Sequence, residues 1–257
     1  MLTATKTYIG TGGRKFDPAL PAVVFLHGAG LDHSVWALLA RAFAHHGFGV
    51  LAPDLPGHGC SAGAPLATIA ALADWTAALV DAAGASKARL VGHSMGSLIA
   101  LETAARHPHK VSGLGLIATA AAMTVSADLL DAAKANDHAA IDMVAIWGNG
   151  FHATIGGSLA PGIWMLGGAE RLLERAPPGV LFADLSACNA YRDALAAAAK
   201  VTVPAAVILG SRDLMTPLKA GKAIAAAIPA GRVTVLDGAG HMLMSERPEE
   251  VLAALRV

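Results

Sequence analysis

The chain predicts an α/β fold, a mostly parallel central sheet with helices on both faces and a helical cap insertion. Three observations lead there. Short, uninterrupted apolar runs alternate with helically spaced ones over 1–119 and again over 201–257. Strands that lack polar alternation are buried on both faces, which requires covering helices above and below and right-handed crossovers between parallel strands. The rhythm stops over 120–200, where helical patterns, a glycine-rich stretch and Pro177-Pro178 accompany no buried strand. That segment reads as a cap over the carboxyl edge of the sheet, where open α/β sheets bind ligands.

The elements follow in order. Ala22-Val23-Val24-Phe25-Leu26 is a β-branched and aromatic run and the first central strand. Helical spacing over 35–46 leads to a second buried strand at 48–52. A helix over 66–83 precedes the short strand 88–91, and a small-residue helix runs over 94–106. Residues 111–118 form the next strand. Beyond the insertion, 205–209 and 232–236 are strands separated by a helix at 219–228, and a helix over 246–255 closes the chain.

Composition narrows the function. With 257 residues, 54% hydrophobic and 15% charged, the chain can bury a large core. Nineteen basic residues balance nineteen acidic ones without a basic block, so neither nucleic acid nor an anionic membrane is expected as a partner. The first six residues lack a charged-then-apolar leader. The uncharged stretch 143–169 is interrupted by Gly148, Gly150, Gly156, Gly157, Pro161 and Gly162, which a membrane-spanning helix would not tolerate. A cytoplasmic protein acting on a small molecule, as monomer or homodimer, is the expectation. Cys60 and Cys188 read as free thiols, and no Cys/His spacing suggests a metal.

Gly92-His93-Ser94-Met95-Gly96 joins a predicted strand to a predicted helix. Glycines on either side let the chain turn sharply and push the serine outward, as a nucleophile requires. Serine needs a base, and the base needs an orienting acid. His241, in the loop Asp237-Gly238-Ala239-Gly240-His241 after the last strand, is the candidate base. Asp213, in Gly210-Ser211-Arg212-Asp213, follows the preceding strand and is the candidate acid, although it also suits the start of a helix near Thr216-Pro217. Asp54 and Asp237 also end strands and compete for the role; both read better as loop braces. His27-Gly28-Ala29-Gly30 leaves the first central strand with its backbone open, so the amides of Ala29 and Met95 are the expected oxyanion donors. These glycines lack the spacing of a phosphate loop.

Taken together, His27-Gly28-Ala29-Gly30, the turn Asp54-Leu55-Pro56-Gly57-His58-Gly59-Cys60-Ser61, Gly92-His93-Ser94-Met95-Gly96, Asp213 and Gly240-His241 resemble the α/β-hydrolase fold family in its capped branch. The order Ser, Asp, His is that family's order. The resemblance implies Ser94 as nucleophile, Asp213 as acid, His241 as base, and no cofactor. Two features depart from the pattern. Only some twenty residues precede the first central strand, so the leading edge of the sheet is expected to be abbreviated, and Ser97 stands where many relatives carry a second glycine.

Family members with an aspartate nucleophile open epoxides or displace halide, and a serine argues against both. Hydrolysis of a small, mostly apolar ester or lactone through an acyl-enzyme is the primary expectation. The alternatives are carbon–carbon bond hydrolysis of a vinylogous diketone with the same triad, or a non-catalytic small-ligand receptor. His33, Trp36, Trp147, Phe151, His152 and Trp164 are the candidate pocket residues.

Overall fold

The computed structural model describes residues 6–157 and 164–256; the first five residues, where no leader is expected, and 158–163 of the uncharged stretch lie outside the described residues. Strands β1 (Ile9–Gly10), β2 (Ala22–Leu26), β3 (Gly49–Pro53), β4 (Ala88–His93), β5 (Val111–Ile117), β6 (Ala205–Gly210) and β7 (Gly231–Leu236) form one sheet in the order β1-β3-β2-β4-β5-β6-β7. Strands β2 to β7 pair in parallel, and β1 pairs antiparallel with β3. The described leading edge is thus a two-residue strand, as the short N-terminal stretch implied.

Helices α1 (Ala37–His45), α2 (Ile69–Ala82) and α3 (Met95–Arg106) connect the first strands. Six helices lie between β5 and β6 among the described residues: α4 (Ala127–Ala135), α5 (His138–Gly148), α6 (Phe151–Thr154), α7 (Met165–Leu173), α8 (Val180–Ala190) and α9 (Ala194–Ala199). Helix α10 (Leu218–Ala227) joins β6 to β7, and α11 (Leu243–Glu246) and α12 (Pro248–Leu255) end the chain.

Alternation along β2 shows why the sheet is covered on both sides. Val24 and Leu26 pack into a core with Ile69 and Leu72 of α2, Leu98 and Leu101 of α3, and Ile224 of α10. Val23 and Phe25 face the other way, onto Leu39 and Phe43 of α1 and Val251 and Leu255 of α12. Leu129, Ala140 and Leu185 form a separate small core inside the insertion. Helix α9 packs on α3 and α10, so the end of the 120–200 segment joins the sheet's covering layer.

Two helices begin differently from their periodicity. The run over 35–46 opens as a 3₁₀ turn, His33–Trp36, because Asp32 caps it by accepting the Ser34 amide at 2.8 Å. The helix over 246–255 is cut at Arg247 (φ −139°), since Pro248 drives the residue before it out of helical conformation. Among the described residues no helix is long and apolar enough to cross a membrane.

Candidate active site

The strand order reverses between β2 and β4, which are neighbours paired from Ala22 with Ala88 to Leu26 with Gly92. Their carboxyl ends therefore open a crevice, with the His27-Gly28-Ala29-Gly30 loop on one side and Ser94 on the other. Ser94 has φ 53° and ψ −119°, a conformation that costs a non-glycine residue roughly 1–3 kcal/mol. The turn closes because its flanks are bare. A Cβ at Gly92 would stand 2.0 Å from the Gly96 carbonyl oxygen, and one at Gly96 would stand 2.1 Å from that of Leu26. The Ser94 amide donates to the Ile117 carbonyl at 2.9 Å, anchoring the elbow to β5. Ser97 fits without its expected glycine, since its buried hydroxyl donates to the Ser94 carbonyl at 2.6 Å.

His241 and Asp213 are buried and meet at 2.8 Å, Nδ1 to Oδ2. Asp213 also accepts the Thr216 hydroxyl on Oδ2 at 2.6 Å and the amides of Met215 and Thr216 on Oδ1, each at 2.8 Å. Burial alone would raise its pKa, but the neighbouring His241 and these hydrogen bonds outweigh it and hold the carboxyl below its ordinary value. An ionised acceptor at Oδ2 keeps a proton on His241 Nδ1, which leaves the Nε2 lone pair free. Thr216 therefore belongs to the acid's surroundings, and the helix-start reading of Asp213 is corrected: α10 begins at Leu218 behind Pro217, and Asp213 instead holds the turn before it through the Met215 and Thr216 amides.

The loop bearing His241 is fixed from three sides. Its own amide and that of Met242 donate to the Gly148 carbonyl at 3.0 and 2.9 Å. Buried Glu246 accepts the amides of Gly240 and Gly150 at 3.1 and 3.2 Å, and burial raises its pKa. His93 donates from Nε2 to the His241 carbonyl at 3.0 Å. Burial, with His241 nearby, lowers the His93 pKa to about 3, so the ring is neutral and its one proton sits on Nε2.

On the opposite wall, buried His27 bridges its own loop to the Asp54 turn. Its Nδ1 donates to the Gly28 carbonyl at 2.9 Å, and its Nε2 accepts the Leu55 amide at 3.1 Å. Burial and the adjacent His58 lower its pKa to about 3, consistent with that single-proton arrangement. A Cβ at Gly28 would lie 3.3 Å from that of Ser94 and 2.9 Å from His93 Nδ1, so bare backbone abuts the serine. Asp54 is fully buried and braces its turn, accepting the amides of His33 and Cys60 at 2.8 Å. Asp237 is exposed and accepts from Ser211 at 2.9 Å.

A cavity of about 250 Å³ joins these parts, lined by Gly28, Ala29, Ser94, His93 and His241 on the sheet side. Met123, Leu129, Val144, Trp147, Leu185 and Met242 contribute apolar surface to its lining. Of the six expected pocket residues, Trp147 alone lines this cavity. Trp36 is fully buried beneath the sheet, its ring 5.1 Å from that of Phe25. His33 is engaged by Asp54, with Nδ1 2.7 Å from Oδ1. Phe151 and His152 flank a separate surface cleft beyond Leu214, and Trp164 is 63% exposed over Gly167. Among the described residues, Asp32, His33 and Asp54 bring ligand-type atoms within 4.8 Å of one another. Those atoms already serve one another, Ser34 and Arg175.

Sequence reasoning did not find Thr216, Glu246, His58 or Asp184. The His58 turn was visible as a motif; the others are brought in by loops and an inserted helix that share no local spacing with the elbow.

A family model described as "Alpha/beta hydrolase family" matches residues 23–254. A pimeloyl-[acyl-carrier protein] methyl ester esterase of Chromobacterium violaceum is 36% identical over 245 residues, covering 91% of this chain and 92% of that protein. An enol-lactonase from Burkholderia xenovorans superposes with a TM-score of 0.84 at 27% identity, over 98% of this chain and 94% of that one. A thermophilic esterase from Thermogutta terrifontis gives 0.81 at 25% identity, over 98% and 91%. This chain belongs to the alpha/beta hydrolase family.

Proposed function

We propose that this ester hydrolase cleaves small, mostly apolar carboxylic esters or lactones through an acyl-enzyme on Ser94. The observation that carries the reading is the cavity. It contains Ser94 and His241, no Asp, Glu, Lys or Arg among the described residues lines it, and about 250 Å³ lies at the small end of ligand pockets. A phosphorylated or dianionic acyl group would lose its hydration there without gaining a partner. An apolar acyl chain would gain from burial. The named activities of the relatives, on a methyl ester and on an enol-lactone, are compatible with such a pocket.

In this reading Ser94 Oγ attacks the ester carbonyl while its proton passes to His241 Nε2. The amides of Ala29 and Met95 receive the developing oxyanion, Met95 from the first turn of α3. His241 then protonates the leaving alcohol. Water, deprotonated by His241, attacks the acyl-enzyme and releases the acid. Asp213 holds the proton on Nδ1 throughout.

Hydrolysis of p-nitrophenyl acetate and butyrate tests the proposal. Ser94→Ala should lose about 10⁶-fold in kcat, the order expected when nucleophile and base act as a unit. Turnover surviving in that variant would end the serine mechanism. Tight binding of a small ligand without turnover of any ester would point to a receptor.

A further inference from the structure

We propose that Asp184, carried by inserted helix α8, is a positioning residue for the oxyanion hole, holding the Ala29 loop in place together with His58. The proposal rests on the serine-hydrolase reading above. Asp184 Oδ2 accepts the Gly30 amide at 2.8 Å, one residue beyond Ala29, and lies 2.7 Å from His58 Nε2. Both side chains are 1% exposed. His58 Nδ1 lies 3.0 Å from the Pro56 carbonyl oxygen. Both ring nitrogens thus face oxygen atoms that accept from N–H, an arrangement that favours the doubly protonated imidazolium.

A buried ion pair joins two parts of the core, the oxyanion loop and the Asp54 turn, to a helix of the insertion. Packing reinforces the join. Gly30 has φ 68°, and a Cβ there would lie 2.9 Å from Leu181 and 3.2 Å from Leu173, both in the insertion. The next turn of α8 supplies Leu185 and Cys188 to the cavity wall. One helix therefore shapes the acyl pocket and fixes the loop whose amide meets the oxyanion. An oxyanion donor displaced by a fraction of an ångström loses strength in the transition state more than in the ground state. The arrangement thus acts on kcat in preference to KM.

Proton balance gives a second signature. Burial opposes the charge on His58, but the hydrogen bond and charge of Asp184 outweigh it and raise the His58 pKa. The pair is therefore complete below the ordinary histidine value and is lost as pH rises through the raised one. The other titratable groups facing the pair are His27, whose ring lies 4.9 Å from that of His58, with Asp54, and Cys188 beside Asp184; Asp32 faces His27. His27 remains neutral across that range, and burial pushes the Cys188 thiol well above it.

The test compares wild type, Asp184→Ala and Asp184→Asn on p-nitrophenyl butyrate from pH 6 to 10, with butylboronic acid as a tetrahedral-adduct probe. Asp184→Ala should lose roughly 10- to 100-fold in kcat with KM within threefold, and boronate affinity should fall by a similar factor. Asp184→Asn keeps an acceptor for the Gly30 amide but no charge for His58. It should lose less in kcat, and its alkaline decline should begin at lower pH than in wild type. A kcat for Asp184→Ala within twofold of wild type, with Ser94→Ala inactive, overturns the positioning role. Should Asp184→Ala fail to fold, an alkaline limb in Asp184→Asn identical to wild type overturns it instead. Activity surviving in Ser94→Ala would sink the serine-hydrolase reading itself.

Discussion

Replacing Asp213 by Asn probes the acid assignment through one proton. The amides of Met215 and Thr216 both point at Oδ1 from 2.8 Å and can only donate, so the carboxamide oxygen of Asn must take that place. Its NH₂ group then falls at the Oδ2 position, facing His241 Nδ1 at 2.8 Å, while the Thr216 hydroxyl turns to accept. A donor facing Nδ1 forces the imidazole proton onto Nε2, and that tautomer cannot take the proton of Ser94. The variant should lose about 10⁴-fold in kcat, equivalent to about 5.5 kcal/mol of transition-state stabilisation. KM should change little, because Asp213 does not line the cavity. Steady-state hydrolysis of p-nitrophenyl butyrate at pH 7.5, with a thermal melt to establish folding, measures both. A folded Asp213→Asn within tenfold of wild-type kcat would refute the tautomer argument and return the acid role to another carboxylate.

The cavity and the two thiols give the remaining predictions. Trp147→Ala removes a wall of the pocket and should raise the hexanoate-to-butyrate ratio of kcat/KM by tenfold or more, the order of one or two accommodated methylenes. An unchanged ratio would place the acyl chain elsewhere. Cys60 is exposed and Cys188 is buried in the α8 wall, its thiol pushed up by burial and by the Asp184 charge. Ellman's reagent should titrate one thiol in the native protein and two in denaturant. Rapid native labelling of both would mean that the insertion opens readily.

Local chemistry made the elbow and the sheet legible. Gly92 and Gly96 can be read without a structure because no side chain fits beside the Gly96 and Leu26 carbonyls, and an unbroken apolar run such as 22–26 has no stable place except between two helical layers. Where the reading of the pocket went astray, the cause is equally physical. Apolar residues over 180–190 are spread around α8 without a single stripe, so periodicity does not reveal which face meets the cavity. Trp36, judged by its nearness in sequence to Gly30, turned inward because the 3₁₀ turn capped by Asp32 aims it at Phe25.

The alternation of strands and helices along the chain and the Ser94 turn were legible in the sequence alone, since each depends on contacts within a few residues or on the period of an apolar run, and Asp213 and His241 stood out by following the last two apolar runs. Only the tertiary structure decided what surrounds them. Thr216 on the acid, Glu246 under the His241 loop and Asp184 against Gly30 and His58 are partners whose worth comes from burial, and burial belongs to the assembled layers. The joining of Gly30 to Asp184 spans 154 positions, a separation at which no local pattern operates.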